Sequence, residues 1–191
     1  MGVGSFFNGA AYTNSTALGY NALPNGNDQA RIGNFAVTSI GGYANWTNLS
    51  DARFKVNVKE NVVGLEFIKK LRPVTYQLDI DAIASFSKVP DSLRLPESER
   101  LKASEIQTGF IAQEVEAAAL STGYDFHGVD KPKNETSHYG LRYAEFVVPL
   151  VKGMQEQQAM IERLGNSIAT LQEENKNLKE RLAHIERLAQ K

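Results

Sequence analysis

The chain contains no cysteine, only three histidines and almost no net charge, −1 over 191 residues. Without cysteine, disulfide bonds, thiol catalysis and zinc sites built on thiolates are excluded. A net charge near zero gives no electrostatic basis for binding nucleic acid or an anionic membrane surface, so neither partner is expected. No apolar run approaches the roughly 20 residues of a membrane span, and the first residues lack the pattern of a signal peptide. A hydrophobic content of 42% still allows a buried core.

Glycine motifs that bind phosphates or dinucleotides are also missing, so no cofactor is expected. The histidines offer one place for a metal, since His127 and His138 share a polar segment with Asp125 and Asp130. Two interpretations are open there, a solvated loop and a metal site. Polar residues in loops are mostly solvated, and we therefore predict no metal site.

Residues 1–49 are rich in Gly, Asn, Ser, Thr and Ala and carry little charge. One pattern recurs in "ALGYNA" (17–22), "RIGNFA" (31–36) and "SIGGYA" (39–44), with 14 and then 8 residues between the glycines. Short strands punctuated by Gly are typical of a β-roll or intertwined β-structure, in which each repeat buries a face by stacking on its neighbour. A Gly-rich linker is the alternative. We predict a β-rich fibre or stalk end that needs partner chains, because the apolar content of this segment is low.

Residues 50–142 have the patterns of a compact α+β unit. In chain order they predict a strand at "FKVNV", a helix at "NVVGLEFIKKL" with Asn61 as its N-cap, a strand at "RPVTYQLD", a polar surface excursion over 81–105, a strand running into a helix at "TGFIAQEVEAAAL", and a loop or hairpin over 123–143.

Residues 143–191 carry a heptad pattern typical of one long coiled-coil helix, with Pro149 in or near its first turn. Of the 13 a and d positions between 147 and 189, ten hold aliphatic residues or Met. The predicted core of the coiled coil consists of Ile161, Leu164, Ile168, Leu171, Asn175, Leu178, Leu182 and Ile185. A single amphipathic helix packed on the domain is the alternative, but it does not explain six unbroken heptads.

Charged residues beside the heptad core favour parallel helices in register. Glu174 and Arg181 fall at g positions, and Lys179 and Glu186 fall at the e positions that face them in a parallel arrangement. Both pairs are opposite in sign. Each contributes only about 0–1 kcal/mol, but both favour the same orientation.

The number of strands stays open on the residues alone. Asn175 at an a position specifies register at a cost in stability. Ile at a over Leu at d favours dimers, whereas Leu182 over Ile185 reverses that preference.

The stretch "SDARFK" places Ser50, Asp51, Arg53 and Lys55 within six residues. A Ser-Asp pair before a strand is commonly a turn or a cap. A Ser–Lys pair is also a known catalytic type, in which lysine acts as a base where burial and positive charge, here from Arg53, lower its pKa. In a regular strand Ser50 and Lys55 would point to opposite faces, so a working dyad requires a turn or bulge between them, or another chain.

Four motifs together resemble one family. "SDARFKVNV", "GLEFIKKLRPVTYQLD", "GFIAQEVEAA" and "YAEFVVPLVKGMQEQQ", followed by the heptad helix, resemble the C-terminal intramolecular chaperone domain of endosialidase tailspikes, which also ends phage tail fibres and some bacterial surface proteins. The resemblance covers about residues 49–191. The segments "TALGYNA" and "RIGN" resemble the β-roll and stalk ends that often precede this domain.

The resemblance implies a homotrimer whose partner is the upstream β-fibre segment of the same chain. It also implies single-turnover self-cleavage, with Ser50 as nucleophile, Lys55 as general base, Asp51 and Arg53 in supporting roles, and Leu49–Ser50 as the scissile bond. The expected location is a phage virion tail fibre assembled in the cytoplasm, or a bacterial cell surface or secreted protein. A trimerisation module that does not cleave is the main alternative, and a coiled-coil adaptor is a more distant one.

Overall fold

The structure, a computed structural model, describes residues 12–189 as an α+β protein with small sheets and a long C-terminal helix. Residues 1–11 of the predicted stalk segment and residues 190–191 lie outside the described part. The strands are β1 (Thr16–Leu18), β2 (Ala30–Ile32), β3 (Val74–Tyr76), β4 (Gln107–Gly109), β5 (Val129–Asp130) and β6 (Gly140–Leu141). The α-helices are α1 (Leu65–Ile68), α2 (Ile80–Phe86), α3 (Pro96–Ser104), α4 (Ala112–Ser121) and α5 (Val147–Ala189). Short 3-10 helices occupy Ala52–Phe54, Asp91–Leu93 and Tyr143–Phe146. The α+β class is the one predicted.

The N-terminal segment contains two stacked repeats. Strands β1 and β2 pair in parallel with an offset of 14 residues. Gly19 and Gly33 follow the two strands at the same spacing, and both have left-handed φ values, +106° and +71°, which glycine adopts without strain. Asn14 and Asp28 precede the strands at this spacing too, and the Asn14 amide donates to the Asp28 carboxylate at 2.8 Å. The chain therefore makes one turn per repeat here, while a stalk or fibre end over the whole of 1–49 stays a prediction.

The strand predicted at "FKVNV" is not formed. A 3-10 turn at Ala52–Phe54 replaces its start, and residues 55–64 have no regular structure. The alternating apolar side chains of Phe54, Val56 and Val58 are 66%, 81% and 78% exposed. An isolated extended segment needs a neighbour for its backbone hydrogen bonds, and within residues 12–189 no strand pairs with this one.

The helix predicted at "NVVGLEFIKKL" is shorter than expected. It begins at Leu65, with Gly64 rather than Asn61 at its N-cap position, and it ends at Ile68. The predicted strand that follows is confirmed as β3, which pairs with β4 in antiparallel orientation.

The excursion over 81–105 is more ordered than its polar sequence predicts. The Asp79 carboxylate accepts the Ala82 N–H at 2.9 Å and caps α2. Pro96 is the first residue of α3, a position that suits proline because its missing N–H would be unpaired there anyway. Glu99 of α3 is buried and accepts hydrogen bonds from Arg94 Nε at 2.7 Å and Leu95 N–H at 2.8 Å. A polar segment thus folds into two helices, and Arg94 joins them through ion pairs to Asp81 of α2 and to the buried Glu99 of α3.

The core of the α+β unit is built on aromatic rings. Phe67 of α1 is fully buried, and its ring centroid lies 4.9 Å from that of Phe126, which lies 4.8 Å from that of Phe146. The buried cluster also contains Val115, Ala118, Ala119 and Val129. Strand β4 leads into α4 and β5 pairs with β6 in a hairpin, as predicted.

Helix α5 is continuous over 43 residues, and Pro149 lies in its first turn as predicted. Its start packs against α1, but the predicted heptad core beyond residue 160 is exposed. The exposed fractions of Ile161, Leu164, Ile168 and Leu171 lie between 55% and 62%. The alternative in which α5 folds back on the domain therefore does not describe this chain. None of the described helices is long and apolar enough to cross a membrane.

Candidate active site

The stretch around Ser50 forms a tight turn. The Asp51 carboxylate accepts the backbone N–H of Arg53 at 2.9 Å, and the Lys55 N–H closes the turn on the Ala52 carbonyl at 3.2 Å. A short acidic side chain at this position is a typical cap, because it satisfies an N–H that the turn leaves free. The turn therefore shortens the path between Ser50 and Lys55 relative to a regular strand.

The turn brings Ser50 and Lys55 together. Lys55 Nζ donates a hydrogen bond to Ser50 Oγ at 2.9 Å, within the reach that a nucleophile and its base require. In a regular strand, side chains five residues apart would lie on opposite faces. The structure therefore supplies the turn that a Ser50–Lys55 pair requires.

Arg53 is paired with Asp51. Arg53 Nη2 lies 2.7 Å from Asp51 Oδ2, and Arg53 Nε contacts both carboxylate oxygens at 3.1 Å. The hydrogen bonds from the Arg53 side chain, and then from its backbone N–H, lower the pKa of Asp51 below its ordinary value. Asp51 correspondingly raises the pKa of Arg53. The positive charge of Arg53 near Lys55 is thus largely balanced by Asp51.

The surroundings of the pair are open in the single chain. Ser50 and Lys55 are both exposed, and Leu49, on the other side of the predicted scissile bond, is 79% exposed. Phe54 and Val56 flank Lys55 and are also exposed. A lysine works as a base at neutral pH only when burial or positive charge destabilises its protonated form. The hydrogen bond between Lys55 and Ser50 is present, whereas the apolar cover that lysine chemistry needs is absent among the described residues.

The segment after Lys55 is anchored at the base of the long helix. The Leu65 N–H, at the start of α1, donates to the Glu156 carboxylate of α5 at 2.7 Å. Gly64, the residue before it, lies close against the backbone of Gly153. The turn with Ser50 and Lys55 therefore lies only nine residues before the point where the domain meets α5.

The remaining predicted site residues lie elsewhere. Asn175 is exposed on α5, where its Nδ2 donates to the Leu171 carbonyl at 3.0 Å. His138 Nδ1 lies 3.0 Å from the Tyr139 carbonyl oxygen, and the ring lies 6.5 Å from that of Phe86. Over residues 12–189 no cluster of three or more His, Asp or Glu side chains could hold a metal ion.

Three features of the site region were not singled out from the sequence. They are the Glu156 contact with Leu65, the Gly64–Gly153 approach, and the Tyr143 hydroxyl that accepts the Phe110 N–H at 3.2 Å. The Gly64–Gly153 approach had one signal in the sequence, a glycine in an otherwise helical pattern, which often marks a close approach of two backbones.

Comparison with known proteins identifies one family. A peptidase family model described as the chaperone of endosialidase matches residues 50–124. The match begins at Ser50, and it leaves the fourth motif and the long helix outside. No curated protein and no solved structure matches the chain. Residues 50–124 thus match the model of the endosialidase chaperone family, the same family that the sequence motifs resemble.

Proposed function

We propose that the chain is an intramolecular chaperone that trimerises an upstream β-rich fibre and then releases itself by cutting the Leu49–Ser50 bond. The observation that carries the proposal is the 2.9 Å contact between Lys55 Nζ and the hydroxyl of Ser50, the residue that opens the matched segment. The peptidase designation of the family supports cleavage, and its description supports the chaperone role.

The chemistry begins with an attack within one residue. Ser50 carries the nitrogen of the scissile peptide, so its Oγ reaches the Leu49 carbonyl carbon through a five-membered ring. Lys55, in its neutral form, takes the hydroxyl proton as the Oγ–C bond forms. Lys55 then returns this proton to the Ser50 nitrogen as the C–N bond breaks, so the nitrogen leaves as an amine and Lys55 is neutral again. Such intramolecular attack has a large proximity advantage.

The product of this step is an ester between Leu49 and the Ser50 side chain. Water hydrolyses it to a Leu49 carboxylate and a new N-terminus at Ser50. Each chain needs a single turnover, so a modest catalyst is sufficient. The exposure of Leu49 leaves the ester open to water.

Assembly of three chains would supply what the single chain lacks. Phe54, Val56 and Val58 are exposed apolar residues close to Lys55 in the chain. A neighbouring chain that covers these residues would bury Lys55 and favour its neutral form. Cleavage would then follow trimerisation and not precede it.

The long helix is the proposed trimerisation element. Its exposed heptad row requires a partner, and the two g–e charge pairs favour parallel helices in register. Parallel helices would hold three Gly-rich segments in phase at high effective concentration. Pre-registration lowers the barrier to non-local β pairing, which is otherwise slow.

After cleavage the fibre would persist through slow unfolding. The proposed setting is a phage tail fibre or tailspike, in keeping with the family description. A trimerisation module that does not cleave is the alternative function, and the exposure of Lys55 in the single chain is the observation that favours it.

Mass spectrometry of the purified protein separates the two functions. The self-cleaving chaperone yields a fragment whose N-terminal residue is Ser50, together with its complement ending at Leu49. A structural module yields only the intact chain, and this result in a protein shown to be trimeric would overturn the cleavage proposal.

A further inference from the structure

We propose that α2, the turn at Arg94 and the loop 133–138 form a docking surface for the end of the upstream β-segment, residues 12–37. This fibre-docking surface would keep the two parts of the chain associated after the peptide between them is cut, so that release is a separate step. Only the biological timing of the cut rests on the proposed function. The docking itself rests on contacts between the two parts.

The first contact is a pair of hydrogen bonds between the repeats and the loop. Asn25 Nδ2 donates to the Thr136 carbonyl at 3.1 Å, and Asn134 Nδ2 donates to the Asn25 carbonyl at 2.9 Å. Asn134 is itself held in place, because its Oδ1 accepts the Thr136 N–H at 3.0 Å. The loop thus presents a preorganised donor and acceptor to one residue of the β-segment.

The second contact is an arginine over an aromatic ring. The Arg94 guanidinium lies 6.0 Å from the ring centroid of Phe35, at the edge of the range for a cation–π interaction. Arg94 is fixed on its other side by Glu99 and Asp81, both at 2.6 Å. Because these carboxylates hold the guanidinium, Phe35 meets a positioned group rather than a mobile one.

Two clefts lie between the repeats and the segment that contains α2 and α3. One, of about 480 Å³, is lined by Asn25 and Phe35 of the repeats and by Ile83 and Phe86 of α2. The other, of about 510 Å³, is lined by Ile32 of β2 together with other residues of the repeats, and by residues at the start of α3. The repeats therefore lie against both helices of the excursion over 81–105.

The connection between the two parts contributes to this contact only near its start, where Ser39, Ile40 and Gly41 line the second cleft. Every residue from 38 to 50 is exposed, including Tyr43 and Trp46. Cutting within 44–48 would leave the hydrogen bonds, the Arg94–Phe35 contact and the cleft walls in place. Association after cleavage is therefore a property of the docking surface and not of the linker.

The docking surface also has a feature suited to eventual release. Asn25 Oδ1 is buried and has no hydrogen-bond partner among residues 12–189. A buried acceptor without a donor weakens the association, because water would solvate it in the separated parts. The surface would hold the last repeats as a template for stacking the earlier ones, and would still allow their departure.

The test uses the full chain with Ser50→Ala and with residues 44–48 replaced by the recognition sequence of a site-specific protease. The cut then does not depend on Ser50, so failure of self-cleavage and failure of docking are distinguishable. After the cut, the two fragments should co-elute in size-exclusion chromatography. Immediate separation of the fragments would overturn the proposal.

Replacing single aromatic residues by alanine tests where the two fragments touch. Phe35→Ala and Phe86→Ala should each weaken retention at least tenfold, whereas Tyr43→Ala, in the exposed linker, should leave it unchanged. Equal loss in all three variants would contradict the proposed surface. Far-UV circular dichroism confirms that each variant keeps its helices.

Amide hydrogen exchange tests the docking contact without any substitution in the docking surface. Amides in 80–95 and 133–138 of the cut protein should exchange as slowly as in the uncut protein. Faster exchange of both segments upon cutting would show that the contact depends on the covalent link, which would also overturn the proposal.

Discussion

Gly64 lies against Gly153 so closely that a Cβ on Gly64 would stand 2.6 Å from the Gly153 backbone nitrogen. The two glycines let α1 meet the first turns of α5 backbone to backbone. The Glu156 carboxylate then reaches the free N–H of Leu65 at 2.7 Å. This junction ties the domain that holds Ser50 to the helix proposed to assemble the trimer.

The close approach predicts a strong effect of a single methyl group. Gly64→Ala should lower the stability of the protein by about 1–3 kcal/mol, since the backbone atoms it meets cannot move aside. Gly165→Ala, at a position in α5 with open space around it, should instead raise stability by up to about 1 kcal/mol. Thermal unfolding, monitored by circular dichroism, measures the stability of both variants. Similar melting temperatures for the two would contradict the tight junction.

The proposed Ser50–Lys55 dyad predicts which substitutions abolish cleavage. Ser50→Ala and Lys55→Ala should leave a folded, full-length trimer. Lys55→Arg should fail equally, since a guanidinium that stays protonated cannot accept a proton. The expected loss in rate is about 10²–10⁴-fold, which is the usual contribution of a general base.

Lys59→Arg is the matched control, since Lys59 is an exposed lysine of the same segment, and it should cleave like wild type. The rate follows from the fraction of full-length chain over time in mass spectra. Wild-type cleavage by Lys55→Arg would show that Lys55 is not the base.

The exposure of Ser50 and Lys55 predicts that the proposed cleavage depends on assembly. Ile168→Asp places a charge in the heptad core and should disrupt the trimer, and cleavage should then fall at least tenfold. Thr170→Asp puts the same charge on the outer face of α5 and should change neither property. Sedimentation equilibrium and mass spectrometry are read on the same samples. A monomeric Ile168→Asp protein that cleaves normally would separate cleavage from assembly.

Asn175 is expected to favour one register of the coiled coil while lowering its stability. In the single chain its amide donates to the Leu171 carbonyl at 3.0 Å, and in a coiled coil it would face the core. Asn175→Leu should raise the melting temperature and broaden the distribution of oligomers, because a buried polar a residue favours one register. Thermal unfolding and sedimentation equilibrium measure the two effects. A lower melting temperature with an unchanged oligomer would contradict this role.

The buried Glu99 predicts sensitivity of the excursion to acid. Hydrogen bonds from the Arg94 side chain, then from the Leu95 N–H, together with the charge of Arg94, lower the pKa of Glu99 below its ordinary value. Since the pKa in the folded state lies below that in the unfolded state, the stabilisation is present at neutral pH. It is lost as the pH falls through the folded-state pKa.

Glu99→Gln should therefore destabilise the protein by about 1–3 kcal/mol at neutral pH, and the difference from wild type should shrink in acid. Glu97→Gln, on the exposed face of α3, is the control and should have little effect at any pH. Urea unfolding at several pH values measures these differences. An equal loss for both variants would contradict a specific buried pair.

Much of the architecture could be predicted from periodicity. The heptad pattern of α5, the strand at Val74–Tyr76 and the strand–helix unit ending at Ser121 follow from local spacing of apolar residues. The strand at "FKVNV" and the N-cap at Asn61 were wrong. Alternation indicates a strand but does not supply the neighbour that it must pair with, and α1 begins instead where Gly64 can approach Gly153.

The family motifs, the α+β class and the row of apolar residues along α5 can be read from the sequence, because each depends on residues close together in the chain. The sequence also places Ser50 and Lys55 in one short stretch. The folded structure alone shows that a turn capped by Asp51 brings their side chains within 2.9 Å. It alone placed the repeats against Arg94 and the 133–138 loop, since contacts between residues about 110 apart depend on how whole elements pack.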